Sequence, residues 1–358
     1  MYQIYFTNTF LLILHLLNQP HKPQSIMSKN KGNVIVKNTQ IIILLLSLLI
    51  LGCKESKESE TIKLDLESNP SKVELFAEGI VSTGLYERDI AIAPNGNELI
   101  YTLGDYKQQK RCLIQIDRIE GKWSQPKIVT LSGKYQDIEP FYTEGGQRLF
   151  FASNRPIEKD STRNDYNIWY SDRDGDKWSD PKALNDKINT EEDEFYPSLS
   201  KNGNLYFTAT RKESIGREDI FVSKKVNGEY QEAVVLDSTI NTAYFEFNSY
   251  INPEENLLIF SSFGREDGLG GGDLYYSIKD KEGNWSESKN MGKNINSPQL
   301  DYCPFIDIER NNLYFTSEKF DLNTSRIKTV EDLKLYSNQT KNGMGNIYRI
   351  GLEELKLN

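Results

Sequence analysis

Five acidic residues recur along this chain at a nearly constant spacing, and they are its clearest candidates for chemistry. They are Glu87, Asp137, Glu194, Glu246 and Asp301, separated by 50, 57, 52 and 55 residues. Each lies five positions after a Ser or an Asn in a short turn. Carboxylates gathered from equivalent places of a repeat could bind a ligand, or act as acid and base in glycoside hydrolysis. A period of this size also indicates an array of supersecondary units.

Antiparallel pairing predicts a cation opposite four of these acids. The start of a first strand lies beside the end of the second. Counted through the hairpin turn at Asn202-Gly203, the position opposite Glu194 is therefore Arg211. The same count pairs Asp137 with Arg155, Glu246 with Arg265, and Asp301 with Lys319. We expect salt bridges that hold each hairpin, worth about 0–1 kcal/mol apiece if exposed. The functional alternative is a charge-alternating face that binds a sugar, a peptide terminus or a cation.

Glu87 departs from this pattern because the same count places Gly104 opposite it. Its carboxylate is therefore a candidate ligand contact, unless Arg88 or Lys107 supplies the missing charge. We expect Glu87→Gln to weaken ligand binding more than Glu194→Gln does; equal effects in a titration would contradict this.

Several other chemistries are excluded by composition. The only histidines, His15 and His21, lie upstream of Cys53. A protein that begins at Cys53 therefore has no Ser-His-Asp or Cys-His catalytic site and no His-ligated zinc. We predict no catalytic residues, no metal and no cofactor. Cys112 and Cys303 lie in strand patterns, and we expect buried thiols rather than a disulfide.

Residues 1–52 have the pattern of an export signal, with Met27 as an alternative start. A basic stretch from Met27 precedes the largely apolar segment 41–51 and then Gly52. That segment is shorter than the roughly 20 residues that span a bilayer. Residues 50–53, Ile-Leu-Gly-Cys, resemble the bacterial lipobox, in which the cysteine is lipidated. The resemblance implies lipidation at Cys53; the alternatives are an ordinary signal peptide or an interfacial segment.

A polar, charged segment follows, over residues 53–70, and we interpret it as a flexible tether. A similar run marks surface-exported lipoproteins in one group of Gram-negative bacteria, although a plain solvated linker has the same composition. Removal of the four lysines upstream of Cys53 changes the formal net charge from −9 to −13. This acidity argues against nucleic-acid binding, which depends on Lys and Arg.

From residue 71 to 358 the chain reads as an all-β propeller of four-stranded antiparallel blades. Each repeat has an acid-led strand, an apolar second strand such as Leu205-Tyr206-Phe207-Thr208, a third strand and usually a Trp-led fourth. The last repeat lacks its fourth strand, whereas residues 73–83 resemble a fourth strand alone. We therefore predict five blades, with the N-terminal strand completing the last one, and keep six blades as the alternative.

These repeats resemble WD40-like β-propeller repeats of the TolB-like superfamily. The resemblance rests on Asp137-x-x-Pro140, Glu194-x-x-Pro197 and Asp301-x-x-Pro304, and on the strands that follow them. It covers residues 71–358 and implies the fold, but not an activity, because that superfamily includes scaffolds, binding proteins and domains attached to enzymes. TolB itself has six blades, which this count does not match.

Two loops and one hairpin bear on function. The glycine-rich loop 264–272 has no Gly-Lys-Ser/Thr and precedes a strand, so we interpret it as a flexible loop tip rather than a phosphate site. The fifth repeat has a long insertion, Phe320–Gly345, with a predicted helical turn at Thr329–Tyr336; this is our predicted partner contact. The hairpin Ser171–Trp178 resembles a sialidase Asp-box, but Arg173 occupies the aspartate position.

The sequence thus predicts a monomeric outer-membrane lipoprotein, on the periplasmic or cell-surface side. Its lipid would hold it to the membrane, and its propeller would bind or scaffold an envelope protein or glycan. The alternative is an envelope glycoside hydrolase, either sialidase-like or a five-bladed glycosidase.

Overall fold

A computed structural model describes residues 62–143, 145–157, 163–321 and 327–357, which form a five-bladed β-propeller. The lipobox with Cys53 and residues 53–61 of the predicted tether lie outside the described residues. No helix among the described residues is long and apolar enough to cross a membrane.

The strands follow the predicted repeat. Strand β1 (Glu74–Leu75) comes first in the chain. Blade 1 contains β2 (Tyr86–Ile92), β3 (Glu98–Gly104), β4 (Arg111–Ile119), β5 (Lys122–Trp123) and β6 (Lys127–Ile128). Blade 2 contains β7 (Asp137–Tyr142), β8 (Arg148–Ser153), β9 (Asn167–Asp174), β10 (Lys177–Trp178) and β11 (Lys182–Ala183).

The remaining blades repeat this order. Blade 3 contains β12 (Glu194–Leu199), β13 (Leu205–Ala209), β14 (Asp219–Ser223) and β17 (Val234–Val235), with a small hairpin of β15 (Lys225–Val226) and β16 (Glu229–Tyr230). Blade 4 contains β18 (Phe245–Ile251), β19 (Leu257–Phe263), β20 (Asp273–Ile278) and β21 (Lys289–Asn290). Blade 5 contains β22 (Asp301–Asp307), β23 (Asn312–Ser317), helix α1 (Val330–Ser337) and β24 (Asn346–Gly351), before a short 3-10 helix (Leu352–Glu354).

The N-terminal strand closes the ring. Strand β1 pairs with β24 in the register Glu74 to Arg349 and Leu75 to Tyr348, so blade 5 has the strand order β1-β24-β23-β22. The prediction of five blades with this closure is confirmed, and the six-blade alternative is wrong. Residues 62–70, assigned to the tether from sequence, pack against blades 1 and 5, where Leu66 is buried.

The second strands are buried on both faces, because each blade is stacked between two others. In β8, Leu149, Phe150 and Phe151 are all at most 1% exposed. The predicted Trp of the fourth strands packs into the same core, and Trp123 also donates its indole N–H to the carbonyl of Leu64 at 3.0 Å. The fold therefore explains the aromatic repeat by packing.

Each of the five first strands contains a bulge two residues after its acid. The residues at the bulges have φ values of 48–61°, in the left-handed region that non-glycine residues rarely adopt. They are Asp89, Glu139, Tyr196, Asn248 and Cys303. Strand pairing shifts register directly after them, as expected of bulges that bend a strand.

Candidate functional site

All five repeated acids are fully buried, and four of them contact the predicted cations. Arg155 contacts Asp137, Arg211 Nη2 is 3.2 Å from Glu194 Oε1, Arg265 Nη2 is 3.0 Å from Glu246 Oε1, and Lys319 Nζ is 4.0 Å from Asp301 Oδ1. The predicted pairs are confirmed. Because the carboxylates have no exposed surface, the energies expected for surface pairs do not apply to them.

The paired cations also lie over aromatic rings from the second and third strands of their own blade. Arg211 Cζ is 5.1 Å from the centre of the Phe207 ring and 5.2 Å from that of Phe221. Arg155, Arg265 and Lys319 have equivalent aromatic partners. Cations held between rings and a carboxylate are a structural feature of blades 2 to 5.

The turns before four of the acids, Glu87, Glu194, Glu246 and Asp301, join neighbouring blades. The Asn241 side chain accepts a hydrogen bond from Ile220 N (2.8 Å) and donates to Ile220 O (3.0 Å), so it holds the third strand of blade 3. Its neighbour Thr242 donates from backbone and side chain to Glu246, which opens blade 4. Equivalent bonds form at Asn189-Thr190 and Asn296-Ser297. The spacing of five residues between turn and acid is therefore explained by hydrogen bonds that join neighbouring blades.

Glu87 has hydrogen-bond partners although it lacks a cation. It accepts from Thr83 N at 2.9 Å, from the Thr83 hydroxyl at 2.5 Å, and from Asn346 Nδ2 at 2.9 Å. Burial raises its pKa, against the lowering effect of these donors. Among the described residues no cation lies within ion-pair distance of it. A contact between Glu87 and a ligand stays a prediction.

An ion cluster closes the axis of the propeller. Arg88 contacts Asp89 through Nε at 2.7 Å and Glu139 through Nη2 at 2.8 Å, and its Nη2 lies 3.6 Å from Cys303 Sγ. Asn248 completes the cluster by donating to Glu139 at 3.4 Å. Burial raises the pKa of Glu139 to about 7, while Arg88 opposes the rise. The cluster joins blades 1, 2, 4 and 5 at one point.

Beside this cluster, the face that carries the acids is lined by aromatic side chains. Tyr302 donates to the Tyr86 hydroxyl at 3.1 Å, and Tyr86 contacts the carboxylate of Glu318. The guanidinium of Arg88 lies 5.1 Å from the Tyr302 ring centre. Burial raises the pKa of Glu318 and that of the half-buried Glu218, and Arg88 lowers both.

The insertion of blade 5 adjoins the same face. Asn342 Nδ2 donates to Gly84 O at 3.2 Å, and Thr340 Oγ1 to Glu78 Oε1 at 2.6 Å. The predicted helical turn is observed as α1, which Thr329 caps by accepting from Asp332 N at 3.0 Å. None of the α1 residues is buried.

The glycine-rich loop 264–272 packs against the entry to blade 5. A Cβ on Gly270 would lie 2.1 Å from Pro298 O, so only glycine permits this approach. Gly271 N also donates to Pro298 O at 3.2 Å.

The cluster around Arg88 on the propeller axis was not predicted from the sequence. A sign of it is the second residue after each repeated acid, which is polar or aromatic in four blades and is Cys303 in the fifth. Arg88 itself lies in the register of Ile138, Phe195, Phe247 and Tyr302, and is the one cation of that set. A comparison of the repeats position by position would have found it.

No protein-family profile matches this sequence, and no curated protein matches it. Solved structures with a similar fold include a protein described as TolB from Agrobacterium tumefaciens, at 12% identity and a TM-score of 0.44, covering 74% of this chain and 90% of that one. Another is the GH43 endo-arabinanase from Bacillus licheniformis, at 11% identity and a TM-score of 0.45, covering 76% and 94%. The catalytic domain of the GH62 α-L-arabinofuranosidase from Coprinopsis cinerea aligns at 11% identity and a TM-score of 0.44, covering 78% and 97%.

Proposed function

We propose that this protein is a lipid-anchored, monomeric propeller of the cell envelope that binds a protein partner through the blade 5 insertion. The observation that carries the proposal is the exposure of apolar side chains on α1. Val330 is 71% exposed, Leu335 67% and Leu333 49%. A helix of eight residues gains little stability from its own hydrogen bonds. Exposed apolar side chains concentrated in one short segment are typical of interaction surfaces.

The insertion is held in place on the propeller, which supports a docking role. Its hydrogen bonds to Gly84 and Glu78 tie it to the turn that precedes blade 1. The capping box at Thr329 and Asp332 fixes the start of α1. An ordered surface loses less conformational entropy when a partner binds.

Binding is favoured over hydrolysis by the environment of the axial carboxylates. Asp89 and Glu139 both contact Arg88 and are at most 3% exposed. A glycosidase needs two carboxyl groups at the scissile bond, one of them as a proton donor. In this protein the axial pair instead neutralises the largely buried guanidinium of Arg88.

A photo-crosslinking amino acid at position 335 tests the docking surface in cells that naturally make this protein. We expect a discrete protein adduct at 335 and none at 226, where Val226 is exposed on the separate β15–β16 hairpin. Excess wild-type protein should suppress the adduct, and the double variant Val330→Ser/Leu335→Ser should not. Identical adducts at both positions, or none, would contradict the proposal.

The anchor and the alternative activity have separate tests. Cys53→Ser should abolish labelling by a radioactive fatty acid and release the protein from membranes, whereas Cys112→Ser should do neither. Unchanged labelling of Cys53→Ser would exclude this anchor. Incubation with a glycan panel should release no product; hydrolysis of any glycan would favour the glycosidase.

A further inference from the structure

A cavity of about 540 Å³ opens among the turns that join first and second strands, at the opposite end of the axis from the repeated acids. Phe141, Tyr250 and Phe305 line it, and they also line a void of about 10 Å³ beside Glu139 on the axis. These aromatic residues therefore form the inner end of the cavity. Its volume is within the range of small-molecule sites.

Charged residues of both signs line its rim. Lys225 of blade 3 and Glu309 of blade 5 come from blades that are not neighbours, whereas Lys201 lies beside Glu254, because Lys201 N donates to Pro253 O at 2.9 Å. The lining residues Arg148 and Asp307 have partners outside the cavity: Arg148 Nε is 2.6 Å from Asp172 Oδ1, and Asp307 Oδ2 is 2.9 Å from Arg310 Nε. The cavity thus has a lysine and a glutamate on separate blades and an apolar inner end.

We propose that this cavity binds a short zwitterionic peptide with an apolar side chain. The side chain would contact Phe141, Tyr250 and Phe305, the terminal carboxylate would face Lys225, and the terminal ammonium would face Glu309. A simple anion would be repelled by Glu309 and a simple cation by Lys225, whereas a zwitterion is attracted by both residues. The site does not involve α1.

Isothermal titration of the full chain in detergent tests this, with the tripeptide Leu-Phe-Leu as the probe. N-acetylation and C-amidation of the probe should each weaken binding to the wild type about fivefold, the size expected of one partly solvated charge pair. Lys225→Met should abolish only the effect of amidation, and Glu309→Gln only that of acetylation. Lys224→Met, an exposed neighbour outside the lining, should change neither.

Two results with the wild-type protein alone would overturn the proposal. One is equal binding of the free and the blocked peptides, and the other is no heat of binding at millimolar concentrations of the tripeptide. Thermal melting of each variant checks that it folds. Val330→Ser/Leu335→Ser should bind the probe like the wild type, which separates this site from the proposed docking surface.

Discussion

Arg88 of blade 1 and Glu139 of blade 2 meet on the propeller axis, with Nη2 of the arginine 2.8 Å from Oε1 of the glutamate. The same guanidinium neutralises Asp89, so one cation compensates two carboxylates that are almost completely buried. Removal of one member of such a cluster leaves uncompensated charge in a medium of low dielectric constant. Substitution of a charged residue on the axis is therefore expected to lower the free energy of unfolding strongly.

We expect Arg88→Met to lower the free energy of unfolding by about 3–5 kcal/mol, because Asp89 and Glu139 lose their counter-charge. Urea denaturation measures this. The triple variant Arg88→Met/Asp89→Asn/Glu139→Gln should recover much of the loss, and the exposed Arg118→Met should stay within about 0.5 kcal/mol of wild type. A triple variant no more stable than Arg88→Met would show that charge compensation is not the cause.

The hydrogen bonds that Asn241 makes between blades predict different losses of stability for two substitutions of this residue. Asn241→Ala should cost about 2 kcal/mol or more, since Ile220 N and O and Leu236 O lose a buried partner. Asn241→Ser should cost less, because Ser82 at the equivalent place in the ring bonds both N and O of Ile347. Chemical denaturation compares the two variants. If Ser were no better than Ala, these hydrogen bonds would not be what stabilises the turn.

Stability should depend on pH through Glu194. Burial raises its pKa from 4.5 to about 7, against the hydrogen bonds from Thr190 and the charge of Arg211. A raised folded-state pKa means that the stabilising contribution is complete below about pH 4.5 and is lost as the pH rises to about 7. Wild type should therefore lose stability relative to Glu194→Gln between about pH 4.5 and 7. Melting across this range measures the difference, and exposed Glu229→Gln should track wild type; a flat difference for Glu194→Gln would contradict the shift.

Ring closure depends on the packing of the segment that follows β1. Phe76 is 1% exposed and meets Tyr314 of blade 5 edge-on, with ring centres 5.1 Å apart. Phe76→Ala should cost about 3–5 kcal/mol through lost packing and the cavity that it leaves. Ile128→Ala, at a residue 54% exposed on the outer strand β6, is the matched control and should change stability little. Similar losses in both, measured by urea denaturation, would contradict the role of Phe76.

Sequence and structure agree where the interaction is local in the repeat. The pairs Glu194–Arg211 and Glu246–Arg265 follow from hairpin geometry, because both partners lie in one blade. The contact of Arg88 with Cys303 was not predictable in this way: it joins residues 215 apart and exists only when the ring is closed. The burial of the acids was also missed, since it depends on the neighbouring blade. The bulges that place Asp89 and Glu139 on the axis cannot be recognised from the periodicity of hydrophobic residues along the sequence.

The pairing of β1 with β24 has a kinetic consequence. Glu74 and Arg349 are register partners, so a strand made early has no neighbour in its sheet until nearly the whole chain has been synthesised. Closing so long a loop costs conformational entropy before any contact repays it, and such non-local pairing slows folding. Until β1 pairs with β24, blade 5 presents an open edge that can pair with another chain. A protein built this way should complete its fold late, and its most vulnerable species is the one in which blade 5 still lacks β1.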